Sequence, residues 1–349
     1  MRIAPRNLYA ILCYAWDVLD RKDHVPVGLN EETVPTELLA RVLAREVDRL
    51  LKRGLARAYV EESDDLRNPR GRLDLGETVA RALLPQRRLR CTYEEQTPAT
   101  VLNGLLRAAL IHAVGLPHTT DTAHALRAAL RHFPLVPAVT PTARAFAAVR
   151  LHRHTAPYRF ALHAAELLVT GCVPVSGGDR RAFDDFTRDE AQMGRLFQRF
   201  VYRFLATEQS RWAVSAPTLS FVAEGDKASI GRVPRMETDL TLRGRLNGLG
   251  DWILELKSVA ETVQGRHGTE RLRSDHLYQI LTYLQTRERH GIPARGGVLL
   301  YAESHAGPLR HDLRLNGHVM KVRSVPLHGD WSAVRSSLLG LGEELALDA

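Results

Sequence analysis

An α+β N-terminal domain with a long β-hairpin, followed by an α/β domain of order α-β-β-β-α-β on a mixed central sheet, is the architecture this sequence predicts. Three observations carry it. The 349 residues exceed what one hydrophobic core usually supports. The stretch Val173-Pro-Val-Ser-Gly-Gly178 reads as a boundary, dividing the chain at 1–175 and 176–349. After it, the order of helical and extended runs becomes regular in a way it is not before.

In the first domain, Leu8, Ile11, Leu12, Ala15, Trp16 and Leu19 recur at helical spacing. A second amphipathic run goes from about Thr36 to Lys52, with Gly54 as its stop. From Ala56 to Leu75 two extended segments flank the polar turn Asn68-Pro69-Arg70-Gly71, which predicts the long hairpin. A helix after Gly76, an extended Arg88 to Tyr93, and helices near Thr100 to Val114 and Thr122 to His132 follow. Pro134, Pro137 and Pro141 mark a linker-like passage, and a further helix runs from about Pro157 to Leu168.

The second domain opens with a helix from about Asp189 to Thr207, whose apolar stripe includes Met193, Phe197, Phe200 and Phe204. Extended runs span Ala213 to Val222, Met236 to Arg243 and Trp252 to Val259. The loop Gly244 to Gly250, with Asn247-Gly248, lets the last two pair as a hairpin. A helix from about Asp275 to His290 takes Ser274 or Asp275 as N-cap and Gly291 as stop. Gly297 to Tyr301 reads as a buried strand.

Composition excludes several classes. With 44% hydrophobic and 25% charged residues the chain is neither disordered nor collagenous. Cys13, Cys91 and Cys172 are widely spaced, which argues against a disulfide framework or zinc ribbon and for a reducing, cytoplasmic setting. No run approaches the ~20 apolar residues of a membrane span. Asp17 and Asp20 follow the apolar Leu8 to Trp16 where a signal peptide would carry its small-residue cleavage site. The net charge of +8 is compatible with DNA binding without demanding it. Between Glu95 and Glu166 the sole acid is Asp121 amid seven arginines, a basic stretch that suits phosphates, an acidic protein partner or plain solvation.

Lysine fills only five of the 48 basic positions, which draws attention to Lys257 in Glu255-Leu-Lys257. The two-residue period of a strand places Glu255 and Lys257 on one face, with Asp239 on the neighbouring strand. Two carboxylates and a backbone carbonyl suit Mg²⁺, with Mn²⁺ as the alternative, and Lys257 can orient water or stabilise developing charge. Alone, the trio reads first as exposed salt-bridge decoration. The next helix, however, presents Gln279 and Tyr283 at i, i+4 on one side.

Asp239, Glu255-x-Lys257 and Gln279-x-x-x-Tyr283 together resemble the core of the PD-(D/E)xK nuclease superfamily. Arg6-Asn-Leu-Tyr-Ala-Ile-Leu-Cys-Tyr-Ala-Trp-Asp17 looks like the opening of the McrC family, the nuclease subunits of McrBC modification-dependent restriction systems. Arg70-Gly-Arg-Leu-Asp74, Leu102-Asn-Gly-Leu-Leu106, Met193-Gly-Arg-Leu-Phe197 and Leu277-Tyr-Gln-Ile-Leu-Thr-Tyr283 match it in order. The resemblance implies a metal-dependent DNA endonuclease with a restriction-endonuclease-like second domain. Its first domain would bind and stimulate a hexameric McrB-like AAA+ GTPase, which reads modified double-stranded DNA. GTP would be bound by that partner, since this chain has no G-x-x-x-x-G-K-[ST] loop.

Carried over, Asp239 and Glu255 would ligate the metal, Lys257 would serve the water, and Gln279 and Tyr283 would support the site or touch DNA. Two positions depart from the pattern. Gln198 stands where the family often has a glutamate, and Thr238 stands for the superfamily's proline. Glu190, two turns before Gln198, is too distant to replace the missing acid. Arg70 and Arg72 are either hairpin salt-bridge partners or the tip that reaches the AAA+ partner. His152-Arg-His154 reads as a surface feature, and Cys13, Tyr9, Tyr14 and Trp16 as core of the first helix. A non-catalytic adaptor with a degenerate nuclease fold, or a standalone repair or defence nuclease, are the competing expectations.

Overall fold

The computed structural model describes residues 3–21, 29, 32–137, 139–170, 190–246, 248–257, 263–266, 269–303 and 307–348. The Val173 to Gly178 boundary, Cys172, Asn247 and the strand end at Val259 lie outside these residues, as does the side chain of Glu190. Two compact units emerge: Met1–Leu38 with Arg181–Ala349, and Leu39–Arg180. No helix among the described residues is long and apolar enough to cross a membrane.

The linear division at 175/176 is therefore corrected at its front end, because the first helix belongs to the C-terminal unit. Helix α1 (Pro5–Ala15) is buried at ten of its eleven positions. Its Asn7, 1% exposed, donates from Nδ2 to the carbonyls of Leu327 (2.9 Å) and Gly329 (2.7 Å). Tyr14 packs on Phe200, Phe204 and Trp331 and donates its hydroxyl to Glu208. The aromatic residues of this helix are core, as the apolar spacing implies.

The inserted unit holds most of α2 (Pro35–Arg53), then β1 (Ala58–Leu66), β2 (Arg72–Asp74), α3 (Leu75–Ala80), β3 (Leu89–Thr97), α4 (Val101–Val114), α5 (Thr120–Leu130), α6 (Ala143–Ala147) and α7 (Arg159–Thr170). The expected hairpin over 56–75 does not form. β1 pairs along its whole length with β3, from Ala58↔Thr97 to Leu66↔Leu89, and β2 pairs on the other side of β3. A nine-residue partner offers β1 far more ladder than the three residues of β2, and the chain between them crosses to the far edge of β3. Gly71 makes the crossing, at φ +69°, where a Cβ would lie 2.3 Å from the Thr92 carbonyl oxygen. In the helical part, buried Asn103 donates to the carbonyls of Ala56 and Pro98 and accepts from Tyr158. Gly104 beside it leaves room for Val139, whose Cγ2 would be 2.4 Å from an added Cβ.

The C-terminal unit continues with α8 (Glu190–Glu208), β4 (Trp212–Ser215), β5 (Thr218–Ser220), α9 (Lys227–Ile230), β6 (Arg235–Glu237), β7 (Leu240–Gly244), β8 (Trp252–Lys257), β9 (Val263–Arg266) and β10 (Thr269–Leu272). It ends with α10 (Ser274–Arg289), β11 (Gly296–Ala302), β12 (Arg310–Leu315), β13 (His318–Val325) and α11 (Trp331–Leu347). The main sheet has the order β12-β13-β11-β8-β7-β4, with β11 parallel to β8 and β13 and the remaining pairs antiparallel. The mixed sheet and its α-β-β-β-α-β order are as expected, and β7 and β8 form the expected hairpin.

Two expected strands are each broken in two. Thr238 donates from N and Oγ1 to the Pro217 carbonyl (3.3 and 3.0 Å), a pinch where both chains leave the main sheet to form the small β5·β6 pair. Pro217 has no N–H to extend a ladder. Helix α10 takes Arg273 as N-cap, without a side-chain cap bond, rather than Ser274 or Asp275. Its Ile280, Tyr283 and Leu284 pack with Ile253, Leu299, Tyr301 and Val322 of the sheet. The helix α11 is tied down by buried Lys321 and Arg323, which share Asp312 and Glu344.

Candidate active site

Asp239, Glu255, Lys257, Gln198, Gln279 and Tyr283 converge on one place. The β7–β8 register, Leu240↔Leu254, carries one step further to set Asp239 opposite Glu255. Asp239 follows the pinch at Thr238, outside the ladder, so its carboxylate accepts rather than projects into solvent. Oδ2 takes the Leu256 N–H at 2.8 Å and Oδ1 takes Gln198 Nε2, from α8, at 2.5 Å. Alternation along β8 turns Glu255 and Lys257 to the side of Ile253, where α10 packs. Lys257 Nζ donates to Glu255 Oε1 (2.6 Å) and to Gln279 Oε1 (2.9 Å). Gln279 Nε2 donates to the Tyr283 hydroxyl (2.9 Å), which donates to the Glu237 carbonyl (3.0 Å). The helix thus links Lys257 to the strand that leads into Asp239.

Burial governs the electrostatics. Glu255 is 1% exposed, and desolvation, with the charge of Asp239 second, pushes its carboxyl up to about 7 against the pull of Lys257. Asp239 is also raised by burial, opposed by the Leu256 N–H and Lys257. Glu255 Oε2 is buried with no hydrogen-bond partner. An unpartnered buried carboxylate oxygen is costly, and a hard divalent cation beside two such acids relieves both the desolvation and the mutual repulsion. The donor set therefore fits Mg²⁺. Among the described residues no three His, Cys, Asp or Glu side chains converge on a metal position, so a cation here would complete its shell with water or substrate oxygens.

Sequence reasoning missed a neighbour. His276, on α10 three residues before Gln279, meets the Tyr301 hydroxyl through Nδ1 at 2.9 Å, and Tyr301 is in register with Lys257. Burial, then Lys257, lowers His276 to about 4, which leaves it neutral. The i, i+3 spacing to Gln279 was the available signal. Arg70 and Arg72 lie in the inserted unit. Arg70 lies 3.5 Å above the Tyr93 ring and pairs with Glu95 at 3.0 Å, while Arg72 is exposed on β2. His152 and His154 are exposed, their rings 6.1 Å apart.

A mixed sheet whose central hairpin and crossover helix bring two acids and a lysine together defines an α/β protein with a strand-borne acidic site. The chain belongs to the family described as McrBC 5-methylcytosine restriction system components, whose model matches residues 4–302. It is 26% identical, over 353 aligned residues and 98% of both chains, to the type IV methyl-directed restriction enzyme EcoKMcrBC of Escherichia coli strain K12. Its fold is similar to a chain in a half-complex of Thermococcus gammatolerans McrB AAA+ hexamers with bound McrC. That match has a TM-score of 0.60 and 17% identity, and covers 97% of this chain and 76% of that one.

Proposed function

We propose that this chain is the Mg²⁺-dependent DNA endonuclease subunit of a type IV restriction system, hydrolysing phosphodiester bonds when coupled to an McrB-like AAA+ GTPase hexamer. The observation that carries the reading is buried Glu255, with its unpartnered Oε2, beside half-buried Asp239 and held against Lys257. Membership of the McrBC family and the bound McrC of the archaeal assembly support the partnership. The PD-(D/E)xK assignment rests on Asp239, Glu255-x-Lys257 and Gln279-x-x-x-Tyr283 standing in one hydrogen-bonded array.

Asp239 and Glu255 would hold Mg²⁺ or Mn²⁺, which supplies Lewis acidity toward a phosphoryl oxygen and a more acidic bound water. Lys257 has three N–H donors, of which Glu255 and Gln279 take two. The third is left for the attacking water or a non-bridging phosphate oxygen, where positive charge stabilises the transition state. Gln279 accepts from Lys257 and so fixes the direction of that ammonium. Tyr283 anchors Gln279 to the Glu237 carbonyl. Gln198 orients Asp239 without adding negative charge, so the site holds two acids against one lysine. In the inserted unit, Arg70 and Arg72 are proposed to contact the GTPase and stimulate its hydrolysis, and Arg70→Ala would lower that stimulation.

The test is plasmid cleavage with Mg²⁺ or Mn²⁺, with and without the AAA+ partner and GTP, beside Lys257→Ala. Cleavage that requires the partner and vanishes in the variant is expected. Cleavage by the chain alone would instead mark a standalone nuclease. The adaptor reading draws on Gln198 in place of an acid; partner stimulation with no cleavage under any condition would establish it.

A further inference from the structure

We propose that the exposed arginine face of α8 binds the phosphate backbone of the DNA strand presented to the site, with Arg195 and Arg199 as its contacts. The inference deepens the nuclease reading and rests on it. Arg195, Arg199 and Arg203 stand at i, i+4 and i+8 on α8, all exposed. A rise of ~1.5 Å per residue separates successive members by ~6 Å along the helix, about the through-space distance between neighbouring phosphates of one strand, whose ~3.4 Å step is the rise along the duplex axis alone. Three arginines at that interval can each meet a different phosphate.

The face is continuous with the site. Gln198, which donates to Asp239 Oδ1, lies on the same helix between Arg195 and Arg199. At ~100° per residue, Arg195 is ~60° round the helix from Gln198, Arg199 ~100° and Arg203 ~140°. The two arginines nearest the acids are therefore Arg195 and Arg199. Neither makes an ion pair among the described residues, whereas Arg203 sits 3.6 Å from Asp17. Other exposed arginines of this chain do find acids, as Arg81 does with Glu77 and Arg335 with Glu208. Like charges at i, i+4 repel on a bare helix, and an anion laid along them removes that repulsion. Such a device serves the site, because its two carboxylates repel an incoming phosphate until a cation is bound. Guanidinium groups beside them, planar and always charged, suit phosphate oxygens.

Fluorescence anisotropy with a short labelled duplex in Ca²⁺, across a salt series, tests the inference on the full chain. Arg195→Ala/Arg199→Ala is expected to weaken binding about tenfold and to lower the slope of log K against log salt by about 2. Arg131→Ala/Arg153→Ala, which removes the same charge from the inserted unit, is expected to keep the wild-type slope. Arg203→Ala is expected to change it less than either α8 neighbour. In partner-coupled plasmid cleavage, the α8 variant should raise KM for DNA and hold kcat within about twofold. Equal slopes for wild type and the α8 variant, or equal losses in the two double variants, would overturn the proposal even with cleavage intact. A reduced slope in the α8 variant with no cleavage by wild type would support the phosphate track and sink the nuclease reading.

Discussion

Glu255 lies in a position where its ionised form is disfavoured unless a cation is present. Its carboxyl ionises at about 7 in the fold against 4.5 for the free group, so the protonated form is the one the metal-free fold favours. That contribution is full below about 4.5 and is lost as pH rises through about 7. Urea unfolding in EDTA at a series of pH values should therefore show wild type losing stability relative to Glu255→Gln across this window. His276, lowered to about 4, works in the opposite sense, since its neutral form contributes above 6.5 and that contribution is lost as pH falls toward 4. It is present in both proteins and cancels in the comparison. Mg²⁺ reverses the Glu255 trend, so the thermal shift it produces should grow as pH rises past about 7 and be absent in Glu255→Gln. Tyr283→Phe should lower cleavage about tenfold at a metal-free stability cost of about 1 kcal/mol, because it frees Gln279 from the Glu237 carbonyl and lets Lys257 wander. A strand period put Glu255 and Lys257 on one face and a helix period put Gln279 with Tyr283, whereas Gln198 entered only through the resemblance to the McrC family, because nothing local ties α8 to Asp239. The Leu256 N–H and the Glu237 carbonyl were not legible in the sequence, since nearly every residue has such groups and only the tertiary fold around Thr238 selects these two.

Helices and strands were not equally readable. α2 and α8 announce themselves through apolar spacing, a local property, and begin or end within a residue or two of where that spacing puts them. The β1-β3-β2 sheet does not, because two strands flanking a turn look like a hairpin until a third strand competes for them. β12, β13 and α11 lie beyond the α-β-β-β-α-β order; α11 buries Val334, Leu338, Leu341 and Leu345 at helical spacing, and the ion cluster around Lys321 and Arg323 ties it to β12 and β13. The Leu102 to Leu106 motif gains a physical meaning at this scale. Asn103 closes three hydrogen bonds between α4, the segment before β1 and Tyr158. Asn103→Ala would leave buried partners unsatisfied and is expected to cost about 2–3 kcal/mol in chemical denaturation. A value within about 0.5 kcal/mol of wild type, the range of ordinary surface changes, would show that the motif serves something else.

At the scale of the molecule, the unit that holds the acidic site is assembled from both ends of the sequence, with Leu39–Arg180 inserted between them. Deleting residues 1–38 should therefore unfold the C-terminal unit rather than disconnect a partner-binding domain. Circular dichroism and hydrogen exchange on a 181–349 fragment should show an expanded, weakly protected chain. Adding residues 1–38 through a flexible linker should restore protection, and a fragment that is native without them would refute the assignment of α1. The discontinuity also sets an order of events during synthesis. A chain is made from its N-terminus at roughly 5–20 residues per second, and domains tend to fold as they emerge. α1 leaves the ribosome first, but the carbonyls that receive Asn7 belong to Leu327 and Gly329. The inserted unit can be complete well before those residues exist. The unit that holds Asp239 and Glu255 is thus the last part of the protein to mature, and, on the proposed nuclease reading, a truncated nascent chain would release no working cutting unit into a cell that holds its own DNA.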